Sequence, residues 1–123
     1  MAEIVVDASV LAALAFQEER AEAARALLDG AVLYAPTLVT YELVSVARDK
    51  ILRNSASGQD IREQLMEALA MDFQWVEVSY GEVLELALAR RLSTYDACYL
   101  YLASSRGIPL VTFDTRLEAA SRA

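Results

Sequence analysis

Histidine is absent from the 123 residues, cysteine occurs once, at Cys98, and lysine once, at Lys50. The lack of histidine removes the usual general base and the commonest transition-metal ligand together. A single thiol excludes an intrachain disulfide, and a zinc site would have to combine that thiol with carboxylates alone, against the habits of the ion. No apolar run is long enough to cross a bilayer; the best, Ile4 to Phe16, is short and carries Asp7 and Ser9. No basic region precedes that run, as a secretory signal would require, so a soluble, cytoplasmic protein without membrane contact is expected. Positive charge is scarce as well. The net charge of −7 opposes nucleic-acid binding, which runs on phosphate neutralisation by Lys and Arg, so any such function needs another source of positive charge.

Apolar residues, by contrast, are abundant: 56% of the chain, against a norm of roughly 45–50% on a slightly different residue set. A domain of this size buries much of that surface by itself. The excess, including Tyr41, Tyr99, Tyr101 and Trp75, suggests a homodimer built on apolar helix surface, although some of these also suit the core, and Trp75, within a strand, reads better there. No repeat, low-complexity tract or Pro/Gly-rich linker divides residues 1–123, so one domain is expected.

Short β-rich runs alternate with helical patterns. Strands are expected at Glu3–Val6, Val32–Ala35, Trp75–Val78 and Leu110–Phe113. Helices are expected at Val10–Phe16, Glu18–Leu28, Leu38–Leu52, Gln59–Met71, from Ser79 to Arg91, from Ser93 to Gly107, and at Thr115–Ala123. Ser57 with Asp60, Ser79 with Glu82 and Ser93 with Asp96 have the spacing of capping boxes. Such alternation implies an α/β fold, a parallel sheet of four strands with helices on both faces. Ligands of such sheets bind beyond the carboxyl ends of the strands.

Of eighteen acids, four resist a reading as solvated helix face. Asp7 ends the first strand and Asp114 the last; each also suits a helix N-cap. Asp96 opens a helix, where a capping role is equally open. Glu42 lies four residues after Leu38 and four before Val46, which puts it on the apolar stripe of its helix, where a lone carboxylate is costly. Carboxylates gathered at one rim repel, and a cation between them relieves that repulsion. With oxygen ligands and no histidine, the ion is expected to be Mg²⁺ or Mn²⁺. Such an ion polarises a phosphoryl oxygen and activates water, so no histidine is required.

These stretches, Val5-Val6-Asp7-Ala8-Ser9, Tyr41-Glu42-Leu43, Thr94-Tyr95-Asp96-Ala97 and Thr112-Phe113-Asp114, occur in the order and spacing of the PIN-domain ribonucleases. Over nearly its whole length the chain resembles that family, and within it the VapC-type toxins of toxin–antitoxin pairs. The resemblance implies a metal-dependent endoribonuclease on a parallel sheet with a central first strand. Asp7 and Asp96 would be the principal metal ligands, Glu42 and Asp114 would complete the acidic site, and Ser9 and Thr112 would support it. Hydrolysis would leave a 5′-phosphate and a 3′-hydroxyl. A homodimer and a cognate antitoxin, whose tail enters the site, are implied as partners besides RNA. The family usually adds a fifth strand after the closing helix, where this sequence reaches Ala123, leaving a sheet edge in question. On this reading the metal carries the phosphate contact, helped by arginines such as Arg48, Arg53, Arg90, Arg91 and Arg116, each of which also suits a solvated helix face.

Other readings stay open. A phosphotransfer fold also ends its first strand on an acid, but expects a second acid beside it or a lysine near the last strand; Ala8 and Ser9 follow Asp7, and Lys50 sits on a helix. A PIN-like domain kept only for protein binding, or a PIN nuclease of general RNA processing, would share the fold.

Overall fold

In the computed structural model, which describes residues 1–122, strand β1 (Glu3–Val6) buries Ile4, Val5 and Val6 in succession. Consecutive burial, rather than alternation, means that both faces of the strand are covered, as in parallel sheets flanked by helices. With β2 at Val32–Pro36, β3 at Phe73–Val76 and β4 at Leu110–Val111, the sheet runs β3-β2-β1-β4 and every pairing is parallel. Strand β1 therefore lies inside the sheet, and its carboxyl end adjoins that of β4, where Val6 pairs with Val111.

The helices are α1 (Ala8–Ala15), α2 (Ala21–Leu28), α3 (Leu38–Arg53), α4 (Gly58–Leu69), α5 (Tyr80–Arg90), α6 (Thr94–Arg106) and α7 (Thr115–Arg122). The core centres on Val5, Val6, Val10, Leu11, Val39, Leu43, Tyr99, Leu102 and Leu117, all essentially inaccessible. Helix α6 packs on β1 and β2, which carries Asp96 toward the end of the sheet. A smaller cluster of Val83, Ala87 and Ala97 joins α5 to α6.

Several expectations shift. Strand β3 begins two residues earlier than Trp75, because Phe73 is the buried aromatic that pairs opposite Leu33. Trp75 is 43% exposed on this edge strand and stacks against Phe73 with centroids 4.9 Å apart, so it is not core. Tyr99 moves the other way: it is 1% exposed, and takes no part in any helix surface. Strand β4 stops at Val111 because the Ser9 hydroxyl, not a neighbouring strand, accepts from the Phe113 amide at 2.9 Å. Helix α2 starts at Ala21, not Glu18, since Gln17 adopts a positive φ of 51° and the next residues form a turn. Neither the Ser57 nor the Ser79 side chain caps its helix; Glu82 instead accepts from the Tyr101 hydroxyl at 2.8 Å. Helix α7 covers Thr115–Arg122, and Ala123 of the expected closing helix lies outside the described residues.

Candidate active site

The chain turns from β1 into α1 at Asp7, whose side chain is 6% exposed and is the one buried charged group among the described residues. Its Oδ1 accepts from Ser9 N at 3.1 Å, Val10 N at 3.3 Å and Ser9 Oγ at 2.6 Å. Its Oδ2 accepts from Thr112 Oγ1 at 2.5 Å. The expected N-cap is therefore real, and it accounts for one oxygen only. The Thr112 hydroxyl also accepts from the Asp114 amide at 2.9 Å, so Asp7 and Asp114 are tied to the same side chain across the ends of β1 and β4. Asp114 caps α7 through Oδ1, which accepts from Leu117 N at 3.0 Å.

Glu42 sits on the flank of α3 rather than on its innermost stripe, which is Val39, Leu43 and Ala47. Half-buried there, its Oε1 accepts a hydrogen bond from the Tyr99 hydroxyl of α6. Asp96 lies in the first turn of α6, and Ser93 Oγ accepts from its amide at 3.0 Å; of the three expected capping serines this is the one that caps.

The charges of these acids act on one another. Burial pushes the Asp7 carboxyl above its ordinary range even against the hydrogen bonds from Ser9, Thr112 and Val10. Burial also raises Glu42, opposed by the Tyr99 hydrogen bond and reinforced by the charges of Asp7 and Asp96. Asp96 is raised by burial first, then by the charges of Asp114 and Asp7, while Ser93 and the Arg116 guanidinium pull it back. Burial and the Glu42 carboxylate beside it drive the Tyr99 hydroxyl far up, so this group stays a hydrogen-bond donor. The structure thus brings all four sequence-marked acids into one electrostatic neighbourhood at the carboxyl ends of β1 and β4.

Among the described residues, no three acids or thiols are already close enough to enclose an ion. The donor set nevertheless fits a hard divalent cation. Mg²⁺ is held through one or two carboxylates and keeps several waters, so it needs no closed cage. Of the arginines expected to help, Arg116 is the one whose charge reaches an acid of the cluster. Arg48 pairs with Asp49, Arg53 and Arg90 donate to backbone carbonyls, and Arg91 closes α5 in the left-handed conformation. Two residues escaped the sequence reading. Tyr99 stood among aromatics that suited either surface or core, with nothing to mark Glu42 as its partner, and Arg20, which stacks over Phe113 beside the site, gave no signal at all.

Comparison with known proteins identifies the family. The family model described as PIN domain matches residues 4–123. A Pyrobaculum aerophilum protein named ribonuclease VapC3 is 39% identical, with 94% of this chain and 92% of the relative covered. Ribonuclease VapC1 of Mycobacterium tuberculosis is 33% identical over 98% of this chain and 92% of its own length. Among solved structures, PAE2754 from Pyrobaculum aerophilum superposes with a TM-score of 0.79 at 31% identity, covering 98% of this chain and 81% of that one. Mycobacterium tuberculosis VapC20, described as a sarcin-ricin loop cleaving toxin, shares the fold with a TM-score of 0.71 at 20% identity, over 95% and 94% of the two chains. The chain belongs to the PIN-domain family, on its VapC branch.

Proposed function

We propose that this protein is a Mg²⁺- or Mn²⁺-dependent endoribonuclease, the toxin of a toxin–antitoxin pair, with Asp7 and Asp96 as principal metal ligands and Glu42 and Asp114 completing the site. The observation that carries the reading is the convergence of Asp7 and Asp114 on the Thr112 hydroxyl at the sheet end, with Glu42 and Asp96 near enough to feel the charge of Asp7, an arrangement that a cation would relieve. The ribonuclease names of the relatives supply the substrate class.

When bound, the ion supplies Lewis acidity, polarising a phosphoryl oxygen and making water nucleophilic near neutral pH. The chain's own residues do the rest. Ser9 and Thr112 lock the Asp7 carboxylate in one orientation. Tyr99 holds Oε1 of Glu42 and leaves Oε2 to hold the ion or take a proton from water. Arg116, beside Asp96, offers positive charge to the phosphate.

A second reading has an observation in its favour: Asp7 and Asp114 both cap helices, so a non-catalytic binding domain would also keep them. It gives no account of Glu42 or Asp96. Digestion of total RNA with Mg²⁺ or Mn²⁺, with mapping of the cut ends, separates the two. Defined cuts bearing 5′-phosphates, lost in Asp96→Asn, support the nuclease; no cleavage under either ion leaves the binding domain. A cognate antitoxin and a homodimer belong to the same proposal. The apolar row Tyr80, Leu84 and Leu88 along α5 is exposed and suits the dimer, which sedimentation at micromolar concentration would detect.

A further inference from the structure

Beside the acids opens a cavity of about 660 Å³ whose wall includes Ser9 and Glu42 of the cluster. Ala12 and Val46 line its apolar side together with Tyr95 and Phe113, each of which immediately precedes a cluster acid in sequence. The Arg20 guanidinium carbon lies 3.7 Å from the centre of the Phe113 ring, over its face.

Resting on the nuclease reading above, we infer that this cavity is a subsite for one unpaired nucleobase of the RNA, next to the phosphodiester that is cut. Three features select a base. The cavity adjoins the acid site, so a nucleotide whose phosphate reaches the acids has its base within reach of the opening. The local charge gives a phosphate inside no net attraction: Glu18 is neutralised by Lys50 at 2.6 Å, and Glu19 offsets the single charge of Arg20. A neutral, flat ring needs no such attraction, and single-stranded RNA is read by stacking bases on aromatic rings and arginine planes. Arg20, backed by Phe113, presents such a plane, and Tyr95, 62% exposed, adds an aromatic ring at the cavity. The occupant is thus a base from an unstructured or looped strand, because a paired base cannot turn into a side cavity.

The test uses the full chain. Titration with the 5′-monophosphates of adenosine, cytidine, guanosine and uridine, followed by amide chemical shifts, should move Ala12, Val46 and Phe113 for at least one nucleotide. Arg20→Ala and Val46→Phe, the second of which fills the cavity, should abolish those shifts while the rest of each spectrum shows an intact fold. In cleavage assays, an abasic residue at one position beside the mapped cut should raise KM by about tenfold to a hundredfold, the range of base stacking. In Arg20→Ala the same abasic residue should change little. Cleavage indifferent to abasic residues on both sides of the cut, with no pocket shifts from any nucleotide, overturns the subsite and leaves the nuclease standing. Pocket shifts without cleavage of any RNA keep the cavity as a nucleobase site and remove the nuclease reading, and with it the placement beside a cut. If Arg20→Ala and Val46→Phe spare RNA cleavage but release an inhibitory protein, the cavity is a protein-docking site and the inference fails.

Discussion

The Tyr99 hydroxyl donates a hydrogen bond to Oε1 of Glu42, joining the buried middle of α6 to the flank of α3. Two helices far apart in sequence are thereby set in register at the point where the acids meet. Tyr99→Phe keeps the packed ring and removes only the donor. Loss of a buried partner costs about 1–3 kcal/mol, and the lower end is expected because half-buried Glu42 can recruit water. Outer partners of metal ligands typically contribute about 10–100-fold in affinity or activity. A chemical melt together with a Mn²⁺ titration of cleavage checks both. An unchanged Mn²⁺ midpoint would show that Tyr99 merely fills space.

Asp96→Asn should leave the fold intact, since the Ser93 hydroxyl, and not Asp96, caps the helix. Removing its charge also relieves Asp7 and Glu42, so the metal-free melting temperature should hold or rise. RNA cleavage should fall by orders of magnitude. Full activity in this variant would remove Asp96 from the site.

Asp7→Ala differs in kind, because it loses an N-cap, worth about 0.5–2 kcal/mol, and strands the Thr112 hydroxyl. Both stability and cleavage should drop. Comparing Asp7→Asn, which keeps acceptor capacity but no charge, isolates the chemistry from the cap. If Asn restores cleavage along with stability, Asp7 is structural only.

Acidity gives a further check on the metal-free protein. The carboxyls of Asp7, Glu42 and Asp96 are raised relative to the unfolded chain, so the folded state binds more protons through their titration. Their contribution to stability is therefore present below the ordinary carboxylate range and is lost as pH rises through the raised values. Thermal melts in chelator should show Asp96→Asn gaining on the parent as pH climbs from the ordinary carboxylate range, about 4, toward neutrality. A stability difference independent of pH would deny the coupling.

Mn²⁺ or Mg²⁺ should act in the opposite direction at neutral pH. An ion that binds only the folded chain stabilises it by about 2.7 kcal/mol at a hundred times its dissociation constant. Several degrees of melting temperature should follow in the parent and vanish in Asp96→Asn. Equal shifts in both proteins would point to binding elsewhere.

Much of this protein was legible in its sequence. Alternating β-rich and helical runs determined a parallel α/β sheet, because such runs have few ways to bury their apolar faces. Absent histidine and strand-end acids directed attention to carboxylates as the chemistry of this chain, because they were the titratable groups in positions that a solvated helix face did not explain. Even the capping alternatives were right for Asp7 and Asp114, which serve helix ends with the same carboxylates that meet the cluster. Tertiary structure decided the rest. Local spacing cannot say that Trp75 falls on an edge strand while Tyr99 is swallowed by the core, since both are aromatics in apolar runs and only packing partners distinguish them. Nor can it show that Thr112 joins Ser9 on Asp7, or that Arg20 lies over Phe113, because Thr112 and Phe113 lie most of the chain away from Asp7 and Arg20. Patterns along a chain report which faces must be buried; only the folded packing fixes which side chains then find each other.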